Sequence, residues 1–67
     1  MGFETVILDK VADVLGNPTQ AGFTNGTLFV HSISFAEALN LKIQLGDMAA
    51  YKIDINQVGS EFAFDFI

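Results

Sequence analysis

His31 is the only histidine among the 67 residues of the chain, and an imidazole can act as a general acid or base. A catalytic role also requires a nucleophile or a carboxylate close to it in space. Three serines are available: Ser32, Ser34 and Ser60. None of them lies in the glycine-flanked pattern of a nucleophile elbow. Because His31 alternates with Phe29 and Ile33 in a predicted strand, it shares their face, and we interpret it as a structural or interface residue.

Two carboxylates, Asp54 and Asp65, fall on the polar faces of the last two predicted strands. Counting back from a turn at Val58-Gly59 places them opposite each other or one diagonal apart. Such a pair could bind a cation or carry out acid–base chemistry. We interpret the two carboxylates as solvated, or as neutralised by Lys52 or Lys42 on the same polar face.

The chain has no cysteine and one histidine, so neither a cysteine-based zinc site nor a multi-histidine metal site can form within one copy. Two glycine-containing dipeptides, Gly46-Asp47 and Gly59-Ser60, are typical of turns and not of a phosphate-binding loop. We therefore predict no catalytic residue, no metal site, no cofactor and no enzymatic activity. The alternative is a small hydrolase or isomerase whose site is shared between subunits and uses His31 with Asp54 or Asp65.

The net charge is -5, and the only cations are three lysines. Binding to a phosphate backbone needs clustered Lys and Arg, so we predict no nucleic-acid partner. An acidic surface keeps an apolar protein in solution. It also allows an alternative function, in which the chain is an acidic binding or inhibitor module that docks a basic protein partner.

Membrane insertion is not expected, because no apolar run reaches the roughly 18–20 residues that span a bilayer. The segment Met1–Val6 lacks the basic region of a secretory signal. We expect a soluble cytoplasmic protein with no membrane partner, of the kind found among viral or microbial accessory components, including components of a virion or an infected cell.

Apolar and polar residues alternate from Leu39 to the end of the chain, which is typical of strands with one buried face. This pattern predicts strands over Leu39–Leu45, Tyr51–Asn56 and Glu61–Ile67, joined by short glycine-containing breaks as a meander. Ser34 and Glu37 match a capping box, so one helical turn is expected before the first of these strands. The alternative is a longer helix over Phe35–Leu45, because Ala36 to Leu39 are good helix formers.

Upstream, apolar residues spaced three and four apart predict a helix over Phe3–Leu15, which Gly16 caps and Pro18 ends. Its β-branched residues favour a strand as the alternative. Asn25-Gly26 predicts a hairpin between a short stub, Gln20–Thr24, and a central strand, Thr27–Ile33. The predicted fold is a single α+β domain over residues 1–67.

In that fold the N-terminal helix packs on a four-stranded, mainly antiparallel meander sheet. The stub would be either a fifth short strand or a flexible loop, and a small all-β sandwich or barrel is the alternative to this fold. No sequence repeat accompanies the strand spacing.

Self-association is the function class that the composition favours. The chain is short, 51% hydrophobic and rich in Phe, and it has no disulfide to stabilise it. We predict a small non-enzymatic structural or assembly protein that forms a homo-oligomer through Phe-rich strand surfaces. The predicted interface residues are Phe62, Phe64, Phe66, Ile67 and Phe29.

Overall fold

Two helices pack on one face of a four-stranded antiparallel sheet in the computed structural model, which describes residues 2–16, 20–49 and 52–67. The elements in chain order are α1 (Phe3–Leu15), β1 (Ala21–Thr24), β2 (Thr27–His31), α2 (Phe35–Ala49), β3 (Ile53–Val58) and β4 (Glu61–Phe66). The α+β class and the open antiparallel sheet are therefore confirmed. The set of strands differs from the predicted one, because the stub is a strand and residues 39–45 are not.

The order of strands in the sheet is β1-β2-β4-β3, and each neighbouring pair is antiparallel. A simple meander would place consecutive strands side by side. Here α2 carries the chain from β2, past the position of β4, to β3 at the edge. The Phe-rich last strand is consequently paired on both sides within one chain.

The predicted strand over Leu39–Leu45 is wrong, and the alternative of a longer helix is confirmed by α2. The Ser34 amide donates to Glu37 Oε1 at 2.8 Å, and the Glu37 amide donates to Ser34 Oγ at 3.1 Å. This reciprocal capping box starts the helix as predicted. Leu41 and Leu45 then face the core, four residues apart, so the helix has a buried side to pack.

Helix α1 forms over the predicted residues. Ile7 and Val11 are its buried residues, one helical turn apart. Gly16 ends the helix in the left-handed conformation, φ 79°, and its amide donates to the Ala12 carbonyl at 3.0 Å. The predicted stop at Pro18 lies outside the described residues.

Two-residue turns close both hairpins. Asn25 and Gly26 both have positive φ, 51° and 81°, as a type I′ turn requires, so the predicted Asn-Gly hairpin is confirmed. Gly59 has φ 61° at the first central position of the second turn, which is typical of type II′.

Strand boundaries differ from the predicted ones by a few residues. Strand β2 is the predicted central strand, although it ends at His31 because Ser32 takes a left-handed φ of 61°. Strand β3 begins at Ile53 and continues to Val58, while its predicted first residue, Tyr51, lies outside the described residues. Strand β4 follows its prediction and ends one residue early, at Phe66.

The core lies between the helices and the covered face of the sheet. Four cross-strand neighbours of the central strands are at most 2% exposed: Leu28, Val30, Phe62 and Phe64. Ile7 and Val11 from α1, with Leu41 and Leu45 from α2, pack on the same cluster. No polar side chain is buried among the described residues, so the core gains apolar burial without a desolvated polar group.

The two halves of the chain follow the same helix–strand–strand path. Ile7 corresponds to Leu41 and Val11 to Leu45, and each pair is 34 positions apart (41 − 7 and 45 − 11). The same offset relates the two hairpin registers: Ala21 pairs with Val30, and residues 55 and 64 pair in the other half.

The register between β2 and β4 obeys the same offset. At its centre Phe29 pairs with Ala63, which is itself 34 positions further along (63 − 29). An approximate two-fold axis therefore passes between these two residues. Only Asp13/Asp47 and Ile33/Ile67 are identical at this spacing, so the repeat is evident in the fold and not in the sequence.

Candidate functional site

The open face of the sheet, which the helices do not cover, carries the predicted chemistry-bearing residues. His31 on β2 lies opposite Glu61 on β4, with Nδ1 3.5 Å from Oε2. Their side chains are 36% and 42% exposed, so any charge attraction between them is strongly screened by water. Glu61 was not predicted as the neighbour of His31, because β2 and β4 belong to different hairpins.

Asp54 and Asp65 are direct cross-strand partners, one of the two arrangements that hairpin counting predicted, and the turn is at Gly59-Ser60, one residue later than predicted. The Thr27 hydroxyl donates to Asp65 Oδ1 at 2.6 Å, and both aspartates are exposed. Lys42 belongs to α2 and not to this face, so the prediction that it shares the polar face is wrong. Within the described ranges, no three His, Cys, Asp or Glu side chains are grouped so that they could hold a metal ion.

No nucleophile–base pair forms around His31 in the described part of the chain. The Ser32 amide donates to the Ser60 carbonyl at 3.3 Å, which brings the end of β2 and the second turn together. Between described residues, however, no hydrogen bond joins the His31 imidazole to a serine hydroxyl. The open face is therefore a polar surface with Phe29, half-buried, at its centre.

The predicted interface residues fall in three environments. Phe62 and Phe64 are 2% and 0% exposed in the core of a single chain, so their rings are covered without a second copy. Phe66 is half-buried, and its ring centroid lies 5.3 Å from that of Phe3. Ile67 is 68% exposed, and Phe29 lies on the open face.

A stripe of exposed apolar residues runs along α2, and sequence analysis missed it because this segment was assigned to a strand. Phe35, Leu39 and Ile43 are spaced four apart and are 61%, 39% and 69% exposed. We call these three residues the α2 stripe. A shallow groove beside it joins the helix to the first residue of β3; it is lined by Leu39, Lys42, Ile43, Gly46, Asp47 and Ile53.

The corresponding surface of α1 provides an internal comparison. The residues 34 positions before Leu39 and Ile43 are Thr5 and Asp9, and both are exposed. At these two positions α1 is therefore polar where α2 is apolar, although α1 exposes Phe3 and Val6 elsewhere on its surface. An apolar stripe on a solvent-facing helix surface is typical of an interaction site.

The sheet edge beside the α2 stripe is also the longer of the two edges. Strand β3 has six residues, whereas β1, at the other edge, has four. Asp54 is the only charged residue of β3. Long edge strands with little charge are open to pairing with another chain. The apolar stripe and the pairing-competent edge therefore adjoin each other.

Comparisons with family models, curated proteins and solved structures found no match to this chain. Across residues 2–16, 20–49 and 52–67, neither helix is long and apolar enough to cross a bilayer.

Proposed function

We propose that this chain is a small non-enzymatic assembly protein that associates with copies of itself through the α2 stripe and the adjoining β3 edge. The observation that carries the proposal is the contrast between the two helices. Leu39 and Ile43 are exposed where the other half of the same fold has Thr5 and Asp9. A fold that needs no apolar residue at these positions in one half has no structural reason for them in the other.

The energetics support association at this surface. Complete burial of a Phe or Ile side chain contributes roughly 1.5–3 kcal/mol, and the α2 stripe holds one of each together with a Leu. A standard interface covers about 800 Å² on each partner, which is about a fifth of the 4160 Å² surface of the chain. The stripe, the groove and the β3 edge together offer one contiguous surface for such an interface.

Native mass in solution tests the proposal. We expect the wild-type chain to sediment as a dimer or a larger oligomer at micromolar concentration, and Ile43→Asp, which copies the residue of α1, to sediment as a monomer. Ile43 is 69% exposed, so this change leaves the core intact, which an unchanged circular dichroism spectrum would verify.

The matched control is Val6→Asp, which places the same charge at a 53% exposed apolar residue of α1. This variant should keep the wild-type mass. A wild-type chain that stays monomeric at micromolar concentration, or equal loss of mass in the two variants, would contradict the proposal.

A second candidate function is supported by the charges on the open face. Asp54, Glu61 and Asp65 all lie there, around Phe29. In this alternative, the face docks a basic protein partner while the α2 side stays free. Binding of a Lys-rich peptide should then weaken steeply between low and high salt and be reduced by the double change Asp54→Asn and Asp65→Asn. Equal binding at both salt concentrations would argue against it.

A further inference from the structure

The hydrogen-bonding groups of β3 alternate between its neighbour β4 and the open edge. The Ile67 amide donates to the Lys52 carbonyl at 2.8 Å, which makes this cross-strand pair a hydrogen-bonded one. In an antiparallel ladder hydrogen-bonded pairs recur at every second residue, so Asp54, Asn56 and Val58 bond to β4. The amides and carbonyls of residues 53, 55 and 57 therefore point toward the open edge.

We infer that two copies of this chain join β3 to β3 as antiparallel strands around a two-fold axis at Ile55, so that two four-stranded sheets become one sheet of eight strands. This inference rests on the proposed function and specifies its partner, a second copy, and its register. An isologous contact of this kind closes after two subunits and leaves no further β3 edge exposed.

Backbone pairing selects the axis. With the axis at Ile55, residue 53 of one copy pairs with residue 57 of the other, and residue 55 pairs with its own equivalent. All three edge-facing residues of both strands are then used, in three pairs of two hydrogen bonds each. An axis one residue away, at Asp54 or Asn56, leaves one edge-facing residue of each strand unpaired and retains two such pairs.

Charge selects the same axis. With the axis at Ile55, the Asp54 carboxylate lies across from Asn56 of the partner subunit, whose amide can donate a hydrogen bond to it. With the axis at Asp54, the two aspartates of the dimer face each other directly, which is destabilising. The axis at Ile55 therefore keeps Asp54, the single charged residue of β3, from facing the Asp54 of the partner subunit.

The covered side of the sheet adds the apolar contribution. Ile53 and Ile55 are on the face that packs against the helices, and Ile53 lines the groove beside the α2 stripe. A second copy on the β3 edge brings its own α2 stripe to the same side. The chain already contains this arrangement once, because β2 and β4 pair around the axis between Phe29 and Ala63.

Disulfide trapping tests the register, and the chain has no cysteine of its own to interfere. Residues 54 and 56 are in the non-hydrogen-bonded positions of the new pairing, where Cα atoms are about 4.5 Å apart and a disulfide can form. The two single variants, Asp54→Cys and Asn56→Cys, are prepared with tags of different mass and oxidised alone and as a mixture. The native mass of each reduced variant is measured in parallel.

We expect the mixture to yield a disulfide-linked heterodimer as the main product, and each variant alone to yield at least tenfold less linked dimer. Linking of Asp54→Cys with itself would place the axis at residue 54, and linking of Asn56→Cys with itself would place it at residue 56; either result overturns the inference. A wild-type dimer without any linking in the mixture overturns edge pairing while the proposed self-association stands. A monomeric wild-type chain overturns both.

Discussion

The two halves of the chain follow one backbone path but are closed at their ends in different ways. At one end of the sheet, the rings of Phe3 and Phe23 from the first half pack with that of Phe66 from the second, with centroid separations of 5.3–6.4 Å. The residues 34 positions away from these three rings are polar: Glu37, Gln57 and Ser32. An αββ unit therefore does not need an aromatic cluster at this place in order to form.

The N-termini of the two helices also differ, because only α2 has a side-chain cap. Helix α2 begins with the reciprocal Ser34–Glu37 capping box, whereas α1 begins after Gly2 without a side-chain cap. The Phe3 ring of α1 packs against the rings of Phe23 and Phe66. Helix α2 has the capping box at its start and a tilted ring pair between Phe35 and Phe62, with centroids 6.2 Å apart. Equivalent helices in one chain are therefore stabilised by different means, and the helix that begins with the capping box is the one that leaves Phe35, Leu39 and Ile43 exposed.

The largest change in the free energy of unfolding is expected in the central strands, where Val30 and Phe64 are equivalent positions of the two halves and both are 0% exposed. Phe64→Ala should destabilise the fold by about 3–5 kcal/mol, because it removes a ring from a packed core and leaves a cavity. Val30→Ala removes two methyl groups and should cost about 2 kcal/mol. Urea unfolding at one fixed protein concentration measures both. Similar costs for the two variants would contradict the placement of Phe64 at the centre of the core.

An intermediate effect is expected from making the first half resemble the second. Phe23→Gln installs the residue found at position 57 and removes two ring contacts, each worth about 0.5–1.5 kcal/mol beyond its buried area. The free energy of unfolding should fall by about 2 kcal/mol. The reverse change, Gln57→Phe, adds a cross-strand ring opposite Phe62 and should raise stability by about 0.5 kcal/mol. A loss of stability in both variants would show that the two ends are not interchangeable.

The smallest effect is expected at the cap that only α2 possesses. Ser34→Ala removes the hydroxyl that accepts from the Glu37 amide and should cost about 1 kcal/mol. Thr5→Ala, in the uncapped first turn of α1, is the control and should change stability by less than about 0.5 kcal/mol. If the two substitutions have equal effects in thermal unfolding, the capping box does not distinguish the helices.

The parts of the fold that sequence patterns predicted are those whose signals are local. Helix α1, the Asn25-Gly26 hairpin and strand β4 each depend on residues within one short segment. Helix α2 was assigned to a strand because two pairs spaced four apart, Leu39/Ile43 and Leu41/Leu45, interleave. On a helix, residues two apart lie on nearly opposite sides, so interleaved pairs give the same alternation as a strand. The capping box was the signal that favoured the helix.

The contacts of the candidate site also divide into those with a local sequence signal and those without one. The Asp54–Asp65 pairing could be counted from one hairpin turn, whereas the His31–Glu61 pairing joins the two halves and has no local signal. The interface prediction favoured a subunit contact for the Phe residues of β4, because the alternation of the last strand alone does not show whether it is paired inside the sheet or lies against another subunit. Once α2 crosses over and β4 lies inside the sheet, those rings belong to the core, and the exposed apolar surface is found on the helix.

The pairing of Phe29 with Ala63 has a consequence for which residues can lie on the approximate two-fold axis. In a symmetric dimer of two separate half-length peptides, the residue on the axis meets its own twin, so a bulky ring would face a bulky ring and a methyl group would face a methyl group. Joining both copies in one polypeptide removes that constraint, and a large residue can then lie across from a small one, as Phe29 and Ala63 do. Each side of the axis therefore carries its own residue, which two identical subunits related by a two-fold axis cannot do.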